Sequence, residues 1–483
     1  MRRLALLVVF AVAPVAAAPF DKSGIADWTK VPAPTAEPVF VPPVAKRMKL
    51  ANGMALLVIE NHKLPIIAMT LIVPGAGSSA DPAGKAGLAA FTADLLDEGA
   101  GGLSALGIAE ELDRLGASVR MGAGVDAAQL SARTLTKTLD PTIDLVAKIV
   151  AQPAFDDKEL ERVRGDRVTA LEQRRDRPRE VASIMLNAAL YGMASAYGHP
   201  GSGSRDEFKR LTAGDVKAFY GEHWNPATMT LVVAGDVDPA ALLAKLDGGI
   251  GAWKPAAAKA PARVVATPQK SAHRLLLADR TGAAQSDVRI GLVGPDRKDK
   301  RFFQFEVLRT ALGDGFTSRL TQRLREQLGI TYGAGASMDW RLQPGPFVIG
   351  SAIVTAETAK GITETIKILD DLAATDVPAA ELDKSRQNII RALPAEFDTN
   401  ASTSAAFAEL ALQGLPDDYY ATYADEIRKV TAAEVKATAK ALIPSGRMVI
   451  SVVGDMSKVR AGLDQLKLGD PELHDLYGVP LKK

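Results

Sequence analysis

The sequence predicts an α+β fold in which two tandem homologous units each pack helices against a largely antiparallel sheet. Two observations lead to this fold class. In each half of the chain, β-rich stretches are grouped together and precede a group of helical stretches, which favours α+β over a doubly wound parallel sheet. One segment also occurs in both halves, which indicates that the same folding unit is present twice.

The repeated segment covers residues 211–236 and residues 430–455, which align without a gap. Nine of the 26 aligned positions are identical, more than two unrelated helix–strand pairs of this length would share. Each copy begins with a capping-box pattern that predicts the start of a helix; the paired residues are Thr212 with Asp215 and Thr431 with Glu434. Each copy then passes through proline into a β-rich stretch that ends in Gly-Asp, which predicts a strand.

The first half opens with a predicted hairpin, because strands at Arg47–Leu50 and Ala55–Ile59 flank a tight turn that contains Asn52-Gly53. A third strand follows at Ile66–Val73, and a helix is predicted at Ala86–Glu98. The remaining elements of this half are a helix at Ile108–Leu115, strands at Ser118–Gly122 and Gln129–Thr134, and helices at Pro141–Gln152 and Asp156–Arg175. The predicted elements of the second half are strands at Arg274–Ala278 and Asp287–Gly294, and helices at Phe302–Leu312 and Ser318–Leu328.

Changes in composition divide the chain into six segments. Prolines are frequent near the N-terminus, and a stretch rich in Lys, Pro and Ala separates the two halves, as expected for an extended arm and a linker. The predicted segments are a signal peptide at residues 1–17, a Pro-rich arm at 18–44, a first domain at 45–250, a linker at 251–272, a second domain at 273–466 and a C-terminal tail at 467–483.

The first 17 residues have the three parts of a secretory signal peptide. Arg2 and Arg3 form the charged region, and Leu4–Val15 forms the apolar region. Val15-Ala16-Ala17 supplies the small residues of a cleavage site. The apolar run is shorter than the roughly 20 residues that a membrane-spanning helix needs, and no later run is long enough. We therefore expect an exported, periplasmic protein whose mature form has no membrane span.

The overall composition argues against several classes of function. The chain is 47% hydrophobic and 24% charged, and its formal net charge is +1, so there is no basic excess to indicate nucleic-acid binding. It contains no cysteine, which excludes thiolate metal sites and disulfides. No two of its five histidines are four residues apart, so none of them matches the helical spacing of a zinc-binding pair.

One predicted helix carries a family resemblance. Gly87-Leu-Ala-Ala-Phe-Thr-Ala-Asp-Leu95 resembles the metal-binding helix of the pitrilysin/insulinase (inverted zincin) metallopeptidases, in which Gly-Leu-Ala-His-Phe-x-Glu-His supplies two zinc ligands and a general base. On this alignment the histidine positions are Ala90 and Asp94, and the glutamate position is Ala93. An alanine methyl group neither binds zinc nor accepts a proton, so these are degenerate metal positions and we expect no metal or other cofactor in this chain.

The resemblance extends over nearly the whole mature chain. Further matches to the family's first domain are Asn52-Gly53 with its strand, Asp81–Gly87 before the metal helix, and Trp224-Asn-Pro226 near the end of the domain. The family's third zinc ligand is a glutamate in a later helix; that position falls near Ala170, and Glu172 is two residues out of register. The resemblance implies paired α/β rolls, in agreement with the α+β fold inferred from the order of the elements.

The second half keeps another feature of the family. Gly313–Leu320 and Leu324–Tyr332 resemble segments that carry an arginine and a tyrosine seven residues apart, which in the family reach across the cleft to the substrate. Arg325 and Tyr332 have this spacing. A helix that ends at Gly329 would put Arg325 in its last turn and Tyr332 on the strand that folds back. By spacing alone, the alternative is that Arg325 is one of several solvated charges and Tyr332 is a strand aromatic.

A lost metal helix with a retained Arg–Tyr pair resembles the non-zinc subunit of the small bacterial heterodimers in this family. The resemblance implies that the chain has no peptidase activity alone, binds extended peptide, and contributes Arg325 and Tyr332 to the zinc site of a partner with an intact His-x-x-Glu-His. One alternative is a catalytically inert peptide-binding or structural scaffold of the same fold, like the core subunits of a mitochondrial respiratory complex. Another is a self-sufficient peptidase that uses an unrecognised site.

Overall fold

The computed structural model of the protein describes residues 40–254 and 273–481. The predicted signal peptide, most of the predicted N-terminal arm and most of the predicted linker lie outside the described residues. From Pro42 onward the chain forms one compact unit. Within the described ranges, no helix is both long and apolar enough to cross a bilayer.

In each half, most strands come first, a run of five helices follows, and a further strand comes after that run. The strands are β1 Lys46–Lys49, β2 Ala55–Glu60, β3 Ile66–Pro74, β4 Gly99–Ala100, β5 Leu103–Ser104, β6 Ser118–Ala123, β7 Ala127–Leu135, β8 Thr230–Gly235, β9 Arg274–Asp279, β10 Gln285–Val293, β11 Thr331–Met338, β12 Pro346–Val354, β13 Val449–Gly454 and β14 Glu472–His474. The α-helices are α1 Leu88–Asp94, α2 Ala105–Leu115, α3 Leu139–Ala151, α4 Asp157–Glu172, α5 Pro178–Tyr191, α6 Arg205–Phe208, α7 Ala213–His223, α8 Pro239–Gly248, α9 Phe302–Gly313, α10 Thr358–Ala374, α11 Ala379–Ala392, α12 Asn400–Gln413, α13 Tyr419–Lys429, α14 Ala432–Leu442 and α15 Met456–Gln465.

In the described part of the chain, each half contains one six-stranded sheet, and β4 with β5 of the first half forms a separate two-stranded sheet. The first sheet has the order β1-β2-β8-β3-β7-β6, and the second has the order β11-β12-β10-β13-β9-β14. Neighbouring strands are antiparallel except for β2 with β8, β9 with β13 and β9 with β14, which are parallel. The prediction of an α+β fold with largely antiparallel sheets is therefore confirmed.

The repeat predicted from the sequence is confirmed as a repeat of structure. α7 with β8 corresponds to α14 with β13, and the bounds of both elements coincide under the sequence alignment. Both helices begin with a complete capping box, formed by Thr212 with Asp215 and by Thr431 with Glu434. The central strands also have one order, since β2-β8-β3-β7-β6 matches β9-β13-β10-β12-β11.

The two halves exchange one helix each, which the sequence did not predict. α5 of the first half packs on β10 and β13 of the second sheet, and its equivalent α12 packs on β3 and β8 of the first sheet. Met185 of α5 lies in an apolar cluster with Leu276, and Phe407 of α12 lies in an apolar cluster with Leu57. These surfaces are buried only when both halves are present, so the halves depend on each other for part of their core.

Most predicted elements are present, with ends that differ by at most three residues. The helix predicted at Ala86–Glu98 is shorter, because Gly87 adopts a left-handed φ of 92° before its first turn and the chain leaves the helix after Leu95 to form β4. The predicted C-terminal tail contains β14, which adds a strand parallel to β9.

Candidate functional site

Helix α1 carries the degenerate metal positions, and Asp81 holds its first turn. The Asp81 carboxylate accepts hydrogen bonds from the backbone N–H groups of Gly87 and Ala89, each at 2.7 Å, and so satisfies donors that a helix start leaves free. Ala90 and Ala93 are both buried, with 7% and 1% of their surface exposed. Neither side chain has an atom that binds zinc or accepts a proton.

The third degenerate position, Asp94, forms an ion pair with Arg167 of α4. Burial raises the pKa of Asp94, and the positive charge of Arg167 together with its hydrogen bond acts in the opposite direction. Beyond the end of α1, Glu98 pairs with Arg162 of the same neighbouring helix. Carboxylate–guanidinium pairs therefore join α1 to α4 in the region where the resemblance implies a metal.

The segment predicted to hold the third-ligand position lies on α4. Ala170 and Glu172 are exposed, whereas Arg167 contacts Asp94. Arg167 lies three residues, nearly one helical turn, before Ala170, so the face of α4 that contacts α1 at Asp94 carries an arginine. Within residues 40–254 and 273–481, no three His, Asp or Glu side chains are grouped so that they could share a metal ion. The donor set at this helix does not fit zinc.

The second predicted pair, Arg325 and Tyr332, is brought together by the structure. The guanidinium carbon of Arg325 lies 5.1 Å from the centre of the Tyr332 ring and 5.0 Å from the centre of the Phe316 ring, so two aromatic rings contact the cation. Tyr332 is 85% exposed and Phe316 is 70% exposed. The three side chains therefore form an exposed aromatic–cation group, which we call the Arg325 cluster.

A π-helix carries Arg325. The sequence predicted an α-helix at Ser318–Leu328, but Thr321–Gln327 is π-helical, which is a correction. A π-helical turn contains one residue more than an α-helical turn, and the hydrophobic spacing of a short segment does not distinguish the two. Gly329 then takes a left-handed φ of 63° and ends the helix, as its residue type predicted. Turns of this kind are frequent at functional sites because they shift a side chain out of the regular helical register.

Tyr332 lies at the start of β11, the edge strand of the second sheet. The register of β11 against β12 shifts between Thr331 and Ala334, which marks a bulge at Tyr332 and Gly333. The Thr331 hydroxyl holds this bulge in place, since it donates to the Ala352 carbonyl at 2.7 Å and accepts from the Gly333 N–H at 3.1 Å. Tyr332 is thus directed away from the sheet by a defined backbone irregularity.

A cavity of about 600 Å³ opens beside Tyr332 on the second sheet. Strands β10, β11 and β12 contribute its floor, where several residues are glycine and leave the backbone accessible. Charged residues line it from two elements: Arg179 from the first turn of α5, and Asp287 and Arg289 from β10. The cavity therefore joins the Arg325 cluster to a region of positive charge.

Three residues at this site, Phe316, Arg179 and Arg289, were not predicted from the sequence. Phe316 lies within Gly313–Leu320, one of the two segments that resemble the family. This resemblance could have indicated that Phe316 belongs to the site. Arg179 and Arg289 belong to different halves of the sequence, and only the exchange of α5 brings them to one cavity. No local pattern could have joined them.

Two family models match this chain. The model described as insulinase (peptidase family M16) matches residues 56–199, and the model described as peptidase M16 inactive domain matches residues 210–389. The first match contains the helix with Ala90, Ala93 and Asp94. The second match contains Arg325 and Tyr332.

Individual relatives also match over most of the chain. An uncharacterized zinc protease of Mycobacterium bovis is 28% identical over 402 residues, which cover 81% of this chain and 89% of that protein. A non-peptidase homolog of Helicobacter pylori is 22% identical over 401 residues, which cover 83% of this chain and 91% of that protein. The crystal structure of a peptidase M16 inactive domain from Pseudomonas fluorescens has the same fold, with a TM-score of 0.79 at 24% identity, and the match covers 85% of this chain and 98% of that chain.

Proposed function

The chain belongs to the insulinase family (peptidase family M16), and we propose that it is the non-zinc subunit of an exported peptidase heterodimer. In this role it binds an extended peptide and supplies Arg325 and Tyr332 to the zinc site of its partner. The observation that best supports the proposal is the exposed Arg325 cluster, which presents two hydrogen-bond donors beside a cavity large enough for a peptide segment.

The chain needs a partner because its own metal helix contributes no chemistry. Ala90 and Ala93 remove one ligand and the general base, and Asp94 is paired with Arg167. The proposed partner is a homologous subunit with an intact His-x-x-Glu-His, which would hold the zinc and activate the water. The proposal of export rests on the signal-peptide pattern of residues 1–17.

Arg325 and Tyr332 suit the stabilisation of a transition state. Peptide hydrolysis develops negative charge on the carbonyl oxygen, and both a guanidinium and a phenol donate hydrogen bonds to such an oxyanion. The rings of Phe316 and Tyr332 hold the guanidinium before any substrate is present, so little reorganisation is needed. Neither residue supplies a nucleophile, so the contribution of this chain is binding and electrostatic stabilisation.

A second candidate is a catalytically inert peptide-binding or structural scaffold. One comparison favours it, because the Helicobacter pylori relative is named a non-peptidase homolog. In a scaffold, the contact of Arg325 with Tyr332 and Phe316 would stabilise the end of the π-helix and have no further role.

Co-purification from the native host, followed by peptidase assays, tests the proposal. We expect the protein to be isolated with a subunit that contains His-x-x-Glu-His. The purified chain should cleave no peptide, and the two subunits together should cleave peptides faster than the partner alone. A partner that is equally active with and without this chain would favour the scaffold.

A further inference from the structure

We propose that the cavity beside Tyr332 binds a carboxylate of the peptide substrate, and that Arg289 recognises it together with Arg179. The inference rests on the proposed function and deepens it, because Tyr332 lines the same cavity and a peptide that reaches Tyr332 lies along it. It assigns the substrates to one chemical class: peptides that place an acidic side chain or a free C-terminal carboxylate in the cavity beside Tyr332.

Arg289 lies in the second sheet but faces away from its main core. Its neighbours Val288 and Ile290 belong to that core, so strand alternation directs Arg289 to the opposite face. Arg289 is only 5% exposed. Its guanidinium extends over β12, because a Cβ atom at Gly350 would stand 2.6 Å from the Arg289 Nη1 atom. The absence of a side chain at Gly350 therefore makes room for the cation on the floor of the cavity.

The protein compensates this buried charge only in part. Arg289 donates a hydrogen bond to the Val288 carbonyl at 2.9 Å, and its ion-pair contact with Asp287 is long, at 3.8 Å between Nη2 and Oδ1. Burial lowers the pKa of Arg289, the nearby charge of Arg179 lowers it further, and Asp287 opposes both effects. These contacts use only part of the five N–H donors of a guanidinium. An anion in the cavity would complete them.

The first half of the chain shows that the fold does not require an arginine here. Strand pairing makes Thr70 of β3 the equivalent of Arg289, because Thr70 pairs with Val232 and Arg289 pairs with Ser451, two residues that the repeat aligns. The Thr70 hydroxyl is hydrogen-bonded to Ser404 of α12 at 2.9 Å, so the exchanged helix satisfies the polar group at this position. At this position of the sheet, a small residue such as Thr70 is therefore sufficient for the fold.

The residue on the neighbouring strand, opposite Thr70 or Arg289, also differs between the two halves. Thr70 pairs across β7 with Ser131, whereas Arg289 pairs across β12 with Gly350. The second half has a large cation opposite a glycine where the first half has two small hydroxyl residues, so the second half has both the charge and the space to hold it. The paired change points to a binding role because an arginine with a long ion pair costs stability compared with two satisfied hydroxyl groups.

Arg179 adds a second positive charge to the same cavity. It lies in the first turn of α5, where the helix dipole disfavours a cation. Arg179 and Arg289 together exceed the single charge of Asp287, and burial raises the pKa of Asp287. A guanidinium group can donate two parallel hydrogen bonds to a carboxylate, so a cavity lined by two arginines suits this anion.

Peptide binding to the purified full chain, without the zinc partner, tests the inference. The probes are fluorescent peptides of one neutral sequence: an amidated form, a free C-terminal acid, and amidated forms with one glutamate at each successive position. We expect one of the carboxylate peptides to bind about tenfold more tightly than the neutral amide in an anisotropy titration, and its type identifies the source of the carboxylate. Arg289→Thr, which introduces the residue of the first half, should abolish this preference.

One further variant tests the second arginine of the cavity, and a matched variant controls for the loss of a positive charge. Arg179→Gln should weaken the preference, and Arg175→Gln, the same change on an exposed arginine outside the cavity lining, should leave it intact. Thermal unfolding of each variant shows that it is folded. The inference is wrong if all peptides bind equally, if none binds, or if the preference survives in folded Arg289→Thr.

The outcome can be separated from that of the proposed function. A heterodimer whose rate depends on Tyr332, with no preference for a carboxylate, would overturn only the role of Arg289. A clear carboxylate preference that Arg289→Thr abolishes, with a rate that does not depend on Tyr332, would support the site and overturn only the catalytic role.

Discussion

Asp94 of α1 is ion-paired with Arg167 of α4, at a helix position where the resemblance to the insulinase family implies a zinc ligand. The helix therefore has neither histidine nor the glutamate of the family pattern, and a guanidinium lies beside Asp94, the one carboxylate at these positions. The fixed positive charge of Arg167 beside Asp94 opposes the binding of a metal cation there by Coulomb repulsion. The degenerate site is thus a salt-bridged helix contact.

Replacing Arg167 with leucine is expected to destabilise the protein. Asp94 would keep a partly buried carboxylate without its charged partner, and loss of such a hydrogen bond typically costs about 1–3 kcal/mol. Urea denaturation measures the change in the free energy of unfolding. Asp94→Asn in the same background should recover part of the loss, and an unchanged midpoint for Arg167→Leu would show that the pair contributes no stability.

Restoring the family residues of α1 alone is not expected to restore zinc binding. Ala90→His, Ala93→Glu and Asp94→His together supply two ligands and a base, but Arg167 still faces the site and provides no third ligand. Adding Arg167→Glu should allow the protein to retain zinc. Metal analysis after gel filtration distinguishes the two variants, and stoichiometric zinc in the triple variant would contradict the argument.

Tyr332→Phe is expected to lower the turnover of the heterodimer about a hundredfold, because loss of one preorganised donor typically costs about 3 kcal/mol. The ring that contacts Arg325 is kept, so the assembly should remain intact by gel filtration. Tyr477→Phe, at a tyrosine outside the cavity lining, is the matched control and should have no effect. Wild-type turnover of an intact Tyr332→Phe heterodimer would favour the scaffold.

Arg325→Lys is expected to impair turnover although it conserves the charge. Lysine lacks the planar group that contacts the rings of Phe316 and Tyr332 and that donates two parallel hydrogen bonds. Arg323→Lys is the control on the same π-helix, since Arg323 is paired with Glu364. Equal rates for the two variants would show that Arg325 acts only as a surface charge.

His199 is expected to contribute stability that is lost as the pH rises above its ordinary pKa of 6.5. Burial lowers the pKa of His199, but Asp81 and the Ser195 carbonyl more than offset this, so the pKa lies above its ordinary value of 6.5. A folded-state pKa above the unfolded value gives stability that is present at low pH and is lost as the pH rises through the folded-state pKa. Melting temperatures measured above pH 6.5 should depend less on pH in His199→Asn.

Local patterns predicted most of the fold because they act within short segments. The capping boxes of Thr212 and Thr431 begin helices in the structure as in the sequence, and the nearly continuous run of apolar residues in β3 forms a central strand. The contact of Arg325 with Tyr332 could also be predicted, since a single helix end at Gly329 separates the two residues. The π-helix could not be predicted from the sequence, because it differs from an α-helix by one residue in one turn.

The sequence by itself determined that Ala90 and Ala93 supply neither a zinc ligand nor a general base, because an alanine side chain has no donor atom in any fold. Only the tertiary structure decided that Arg167 faces Asp94, and that Arg179 and Arg289 line one cavity with Tyr332. These residues lie far apart in the chain, and their distances are set by the packing of α4 on α1 and by the exchange of α5 between the two halves. Packing of this kind follows from the burial of whole apolar surfaces, which a local sequence pattern does not contain.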